Sequence, residues 1–290
     1  RIKELLDLAQ ALEGVPRHLS VHAAGVVIAP ARLNTLIPLA KSGQAVITQF
    51  DMDTVQDLGL LKMDFLGLRT LTVIRYCLAN VKDNTGLAID FAELGYEDAD
   101  TYAMIARGDT LGVFQLEGGG MRNFFAKLRP TCFEDIVAGI SLFRPGPMEQ
   151  IPRYLAGRES PEDIEYADSR LEPILKVTYG CLVYQEQVQR IFRELAGYSL
   201  GRADLVRRAM AKKKPEVMAL EREYFLHGIV DEASGTKMVP GALALGLSKQ
   251  VANSIFDLMA EFAKYAFNKS HGAGYAVLAY QTASLKSQYA

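Results

Sequence analysis

The chain has 290 residues, 49% of them hydrophobic and 23% charged, and its 32 basic and 34 acidic side chains leave a net charge of −2. That much apolar material fills one large core or two modest ones and excludes a disordered tail or a disulfide-stapled mini-protein. The cysteines, Cys77, Cys132 and Cys181, are odd in number and form no Cys-x-x-Cys pair, which argues against a disulfide framework or a structural zinc site and favours a reducing cytoplasm. No stretch approaches the roughly 18 consecutive apolar residues of a membrane span. The opening Arg-Ile-Lys-Glu has neither Met nor an apolar leader, and the last residues read as helical, so a piece of a longer protein is expected.

Residues 2–13 have helical spacing that stops at Gly14, with Pro16 beyond it. Short β-like runs follow at 25–30, 45–50 and 60–65, separated by loop-forming residues such as Pro38 and Lys41-Ser-Gly. In the third run, period two places Leu61, Met63 and Phe65 on one face and Lys62 with Asp64 on the other. A Lys/Asp pair on a strand is either a weak surface ion pair or a site where Asp64 holds a divalent metal and Lys62 meets an anion. Asp51 and Asp53 stand at a strand end before a helical run and are read as turn residues.

From about residue 70 helices dominate, and a boundary is expected near 68–72. Gly118-Gly119-Gly120 is a flexible loop or, if a helix starts at Met121, a backbone cradle for phosphate. Arg144-Pro-Gly-Pro147 is a stiff turn, by default a structural corner, though its rigidity can aim Arg144. Helices are expected at 182–196, 203–212, 216–227, from a Ser248 N-cap, and at 274–288. Charge is segregated: residues 207–214 hold five cations and no anion, and residues 158–172 hold six carboxylates and two cations. On a helix, Arg208 and Lys212 share a face with Arg207 beside them, a solvated helix end or an anion site. Phe267-Asn-Lys-Ser-His271 stands at a helix start with capping and polar groups, and the remaining histidines lack zinc-ligand spacing.

Taken in order, His22-Ala-Ala-Gly-Val-Val-Ile28, Thr48-Gln-Phe-Asp51, Leu61-Lys-Met-Asp-Phe-Leu-Gly-Leu-Arg69, Gly112-Val-Phe-Gln-Leu-Glu117, Arg144-Pro-Gly-Pro-Met148, Tyr184-Gln-Glu-Gln-Val188, Asp204-Leu-Val-Arg-Arg-Ala-Met210 and Phe267-Asn-Lys-Ser-His271 resemble the catalytic alpha subunits of bacterial replicative DNA polymerase III, the C family of DNA polymerases. The resemblance runs from about residue 12 to the end. It implies an α+β, mostly α chain: 1–20 the end of the thumb, 21–70 a β-rich palm segment and 71–290 the helical fingers. It also implies template-directed nucleotidyl transfer from a deoxynucleoside triphosphate with two Mg²⁺ ions. Asp64 would be a catalytic carboxylate and metal ligand. Lys62, Arg207, Arg208, Gly119 and Gly120 would hold the nucleotide, and Arg144, Lys212, Lys269, Ser270 and His271 would lie near DNA or the nascent base pair. Implied partners are primer-template DNA and, through regions outside this chain, a sliding clamp and other replisome subunits, with no membrane.

Two departures stand out. The family has Ser-x-Gly-Met where this chain has Gly118-Gly-Gly-Met121, and alanines where Gly272 and Gly274 are expected to loosen the last helix start. The family's Asp-x-Asp pair lies in an upstream Pro-Asp-x-Asp block, which Asp51 and Asp53 do not replace. With one carboxylate of three, the alternative is a nucleotide- and DNA-binding module inactive by itself.

Overall fold

The computed structural model describes residues 2–15, 19–211, 215–230, 237–262 and 265–290. The architecture is α+β and mostly α, and the chain divides into two compact units, Arg1–Arg69 and Thr70–Ala290. No helix among the described residues is long and apolar enough to cross a membrane.

The first unit opens with α1 (Ile2–Leu12), followed by β1 (Gly25–Ile28), β2 (Leu39–Ser42), β3 (Ala45–Thr48), α2 (Met52–Asp57) and β4 (Leu61–Asp64). One small sheet is expected from the sequence; the strands instead form two antiparallel pairs, β1 with β4 and β2 with β3. Residues 39–42, expected as loop, are the strand β2, because Gly43 at φ 61° turns the chain tightly enough for β2 to pair with β3. Asp51 is a helix cap, its carboxylate accepting the Thr54 amide at 2.8 Å, as the turn-residue reading expects. The apolar face of β4 is exposed: Leu61, Met63 and Phe65 are 56%, 44% and 63% accessible.

The second unit contains α3 (Arg69–Thr85), the single turn α4 (Phe91–Leu94), α5 (Ala99–Ala106), α6 (Gly119–Leu128), α7 (Phe133–Leu142), α8 (Ile151–Glu159), the single turn α9 (Glu172–Leu175), α10 (Gln185–Ala196), α11 (Leu200–Ala211), α12 (Pro215–His227), α13 (Lys249–Phe262) and α14 (Lys269–Tyr289). A short antiparallel pair, β5 (Ile229–Val230) with β6 (Lys237–Val239), interrupts the helices. One core packs α5, α6, α7 and α14 around Phe125, Ile136 and Tyr280; the other packs α10 to α13 around Phe192, Phe225 and Phe256.

The two cores meet through main chain. Tyr184 bridges to Phe267, with the Gln185 amide donating to the Phe267 carbonyl at 2.8 Å. That bridge keeps Tyr184 extended, so α10 starts at Gln185 rather than at 182. At the other side of the bridge Asn268 accepts the His271 amide at 3.0 Å and starts α14 at Lys269, five residues before the expected 274. Gly272 does not loosen this start. It is buried, and a Cβ there would lie 2.8 Å from Ser141 Oγ, so the glycine admits close approach of α14 to α7.

Candidate functional site

In the first unit the alternation of β4 puts Lys62 and Asp64 on one face, with Lys62 Nζ 2.5 Å from Asp64 Oδ1. The lysine is nearly enclosed, its side chain 10% accessible, while Asp64 is 44% accessible. The hydrogen bond from Lys62 holds the Asp64 carboxyl below the usual carboxylate value. Opposite Asp64 in the β1–β4 register stands Gly25, where a Cβ would meet His22 Nδ1 at 2.9 Å and Lys62 Cε at 3.0 Å. His22 accepts the Ala24 amide through Nδ1 at 3.2 Å and lies 3.9 Å from the Asp64 carboxylate. The scattered placement of histidines in the sequence hides this residue; only the register of β1 on β4 shows its place.

A hard cation such as Mg²⁺ takes one or two carboxylates together with phosphate oxygens and water. Asp64 fits as one such oxygen donor. Among the described residues, however, no group of three or more His, Cys, Asp or Glu side chains gathers into a complete metal site.

In the second unit the basic helix α11 carries Arg207 and Arg208, both turned to Asp204. Arg207 donates to Asp204 Oδ1 through Nε at 3.0 Å and Nη2 at 2.8 Å, and Arg208 Nε lies 2.7 Å from Oδ2. Lys212, expected beside them, lies outside the described residues. Gln189 of α10 donates to the same Asp204 carboxylate at 2.8 Å. Three residues earlier on α10, Glu186 accepts the Lys269 amide at 3.1 Å. Residues at i and i+3 share a helix face, so α10 joins α11 to the start of α14, blocks some 60 residues apart in sequence.

Lys269 Nζ pairs with Glu134 of α7 at 3.0 Å and lies 5.4 Å from the centre of the Tyr184 ring. Ser270 and His271 are exposed in the first turn of α14, and the His271 ring packs on Tyr275 at 4.2 Å. Arg144 is braced inward: Nη2 donates to the Tyr265 carbonyl at 2.7 Å, Nε to the Ser141 carbonyl at 3.1 Å, and the guanidinium covers the Phe267 ring at 4.1 Å. The stiff turn is real, since Gly146 has φ 98°, but the Arg144 contacts formed here are internal. Gly118 to Gly120 form no flexible loop. Gly118 caps α6, Gly119 and Gly120 are its first turn, and a Cβ on Gly120 would lie 2.8 Å from Phe143 Cζ, so a larger residue there would have to shift that ring. Glu134, Glu186 and Asp204 are not expected from the sequence as site residues, although the spacing of Asp204 three and four residues before the two arginines is a usable signal.

Two family models match the chain. The bacterial DNA polymerase III alpha subunit finger domain matches residues 70–233, and the bacterial DNA polymerase III alpha NTPase domain matches residues 1–67. The chain is 46% identical over 288 residues to a DNA polymerase III subunit alpha of Halalkalibacterium halodurans, covering 99% of this chain and 25% of the relative. With that of Thermus aquaticus it shares 47% identity over 295 residues, 100% of this chain and 23% of the relative. With that of Bacillus subtilis it shares 42% over 289 residues, 99% of this chain and 25% of the relative. The chain therefore spans about a quarter of the length of these relatives. With a finger-domain match over more than half its residues and this identity along its whole length, the chain belongs to the bacterial DNA polymerase III alpha subunit family.

Proposed function

We propose that the protein containing this chain is a template-directed DNA polymerase. In it residues 1–20 end the thumb, 21–70 form part of the palm and 71–290 are the fingers. Its reaction is attack of a primer 3′-hydroxyl on the α-phosphate of a deoxynucleoside triphosphate. The observation that carries this reading is the Lys62–Asp64 pair on one face of β4, 2.5 Å apart, in a chain of this family. Two Mg²⁺ ions, when bound, supply positive charge to the entering and leaving oxygens.

Asp64 contributes one carboxylate ligand, kept ionised by the Lys62 ammonium. In this reading Lys62 of the palm segment is a nucleotide-binding cation, and Arg207 and Arg208 of the fingers are phosphate-binding residues, since a guanidinium grips phosphate through two donors. Gly119 and Gly120 open α6 near the nucleotide, while Lys269, Ser270 and His271 line the side of DNA and the nascent base pair; Arg144, engaged internally, supports that side through the turn it braces, and Lys212, outside the described residues, is assigned to the same DNA contacts. The partners are primer-template DNA, deoxynucleoside triphosphates and, through parts outside this chain, a sliding clamp and other replisome subunits in the cytoplasm.

Asp64→Asn in the full-length protein abolishes primer extension and largely spares binding of primed template; near-normal extension overturns the assignment. A second reading concerns the 290 residues alone. With Asp64 as its one catalytic carboxylate of the family's three, the chain is on this reading a nucleotide- and DNA-binding module without activity of its own. Incubating the chain with primed template, Mg²⁺ and nucleotides yields no extension on that reading.

A further inference from the structure

Arg207 and Arg208 are consecutive residues, so their side chains leave α11 about 100° apart around the helix axis and would diverge if left alone. The position that faces both is three and four residues back, and it holds Asp204. One carboxylate therefore binds the two: Oδ1 takes Nε and Nη2 of Arg207 at 3.0 and 2.8 Å, and Oδ2 lies 2.7 Å from Nε of Arg208. The carboxylate is itself tied down, because Gln189 donates to Oδ1 at 2.8 Å from a helix anchored by the fully buried Val188, Ile191 and Phe192. Both arginines are met through Nε. Among the described residues, that engagement leaves Nη1 of Arg207 and the terminal nitrogens of Arg208 to receive an anion.

We propose that Asp204 is a positioning residue that draws Arg207 and Arg208 together and presets them for a triphosphate. The proposal rests on the assignment of those arginines to the nucleotide. Arg207 is 15% accessible and more enclosed, but Arg208 is 67% accessible, and an ion pair that exposed adds little to stability, so holding the fold does not account for drawing Arg208 to the same carboxylate. What the arrangement changes is the freedom of two long side chains. A guanidinium already held in place loses less rotamer entropy when it grips phosphate. Asp204 stays ionised throughout the neutral range, since hydrogen bonding from Arg207 lowers its carboxyl below the usual value.

The test uses the full-length polymerase on primed template. The dissociation constant for the correct deoxynucleoside triphosphate is measured by titration on a dideoxy-terminated primer, and KM and kcat are measured by extension. Asp204→Asn weakens nucleotide binding and raises KM about tenfold while leaving kcat within about twofold, and Asp204→Glu recovers part of the loss. In an Arg207→Ala/Arg208→Ala background, Asp204→Asn adds nothing to the dissociation constant, because the residue acts only through those side chains. Unchanged or tighter binding by Asp204→Asn overturns the proposal, as does an equal loss in the double-alanine background. If the double-alanine protein itself binds nucleotide normally, the assignment of the arginines falls and the proposal with it. Weakened binding there, with Asp204→Asn unaffected, removes only the role of Asp204.

Discussion

Gly25 stands directly across from Asp64 in the β1–β4 register, and the room its missing side chain leaves is filled by Lys62 and His22. The catalytic candidate is thus framed by a residue with no side chain of its own. A methyl group at position 25 would sit 3.0 Å from Lys62 Cε and 2.9 Å from His22 Nδ1, closer than carbon and nitrogen atoms pack.

Gly25→Ala therefore displaces the lysine from Asp64 without touching either group chemically. Misplacing a reacting or charge-bearing group by a fraction of an ångström to an ångström costs about 10- to 100-fold in rate. The full-length Gly25→Ala protein is expected to lose extension activity by that order while binding primed template normally. Wild-type kinetics would show that the Lys62–Asp64 geometry is not what the reaction needs.

The seam between α7 and α14 makes a stability prediction. Gly272→Ala drives a methyl group to 2.8 Å from Ser141 Oγ, and that hydroxyl is already committed to the Val137 carbonyl at 2.7 Å. Overpacking of this kind costs about 1–3 kcal/mol. Ser141→Ala removes the clashing oxygen, so the pair Ser141→Ala/Gly272→Ala loses less than the sum of the single losses in denaturant unfolding. Strict additivity would contradict the packing role given to Gly272.

A third prediction concerns pH. Glu221 on α12 is buried and pairs with the partly buried Arg202, and among the described residues Glu221 Oε2, Arg202 Nε and the Tyr198 hydroxyl have no hydrogen-bond partner. Burial raises the Glu221 carboxyl above its ordinary 4.5, with the Arg202 charge opposing. A carboxyl raised by folding holds its proton more tightly in the folded chain than in the unfolded one. Its contribution to stability is therefore greatest below 4.5 and is lost as pH rises from there through the folded value. Glu221→Gln lacks this dependence. The melting temperature of wild type, relative to Glu221→Gln, falls as pH rises above 4.5. A constant difference across that range would show that burial does not perturb Glu221.

Local order was legible wherever one stretch of chain contains all the determinants. The alternation of residues 61–65 already separates Lys62 and Asp64 from Leu61 and Met63, and the Asp51 cap and the Gly146 turn follow from neighbours a few residues away. The order of the motif blocks also carried the family. Pairing over distance was not legible. Residues 39–42 became a strand because β3 was there to pair with them, and Tyr184 stayed extended because Phe267, more than 80 residues on, bridges to it.

The candidate site divides along the same line. Sequence alone determined which residues carry charge and which helix holds Arg207 and Arg208. Tertiary structure decided that Gly25 leaves space for Lys62, that Gly272 seats α14 on α7, and that Arg144 is braced against Tyr265 and Phe267. It also decided that Gln189 and Glu186 tie α11 and the start of α14 to one face of α10. The reason is physical. Periodicity and capping act over a turn or two of chain, whereas close approach and shared hydrogen-bond acceptors exist only once distant elements have packed.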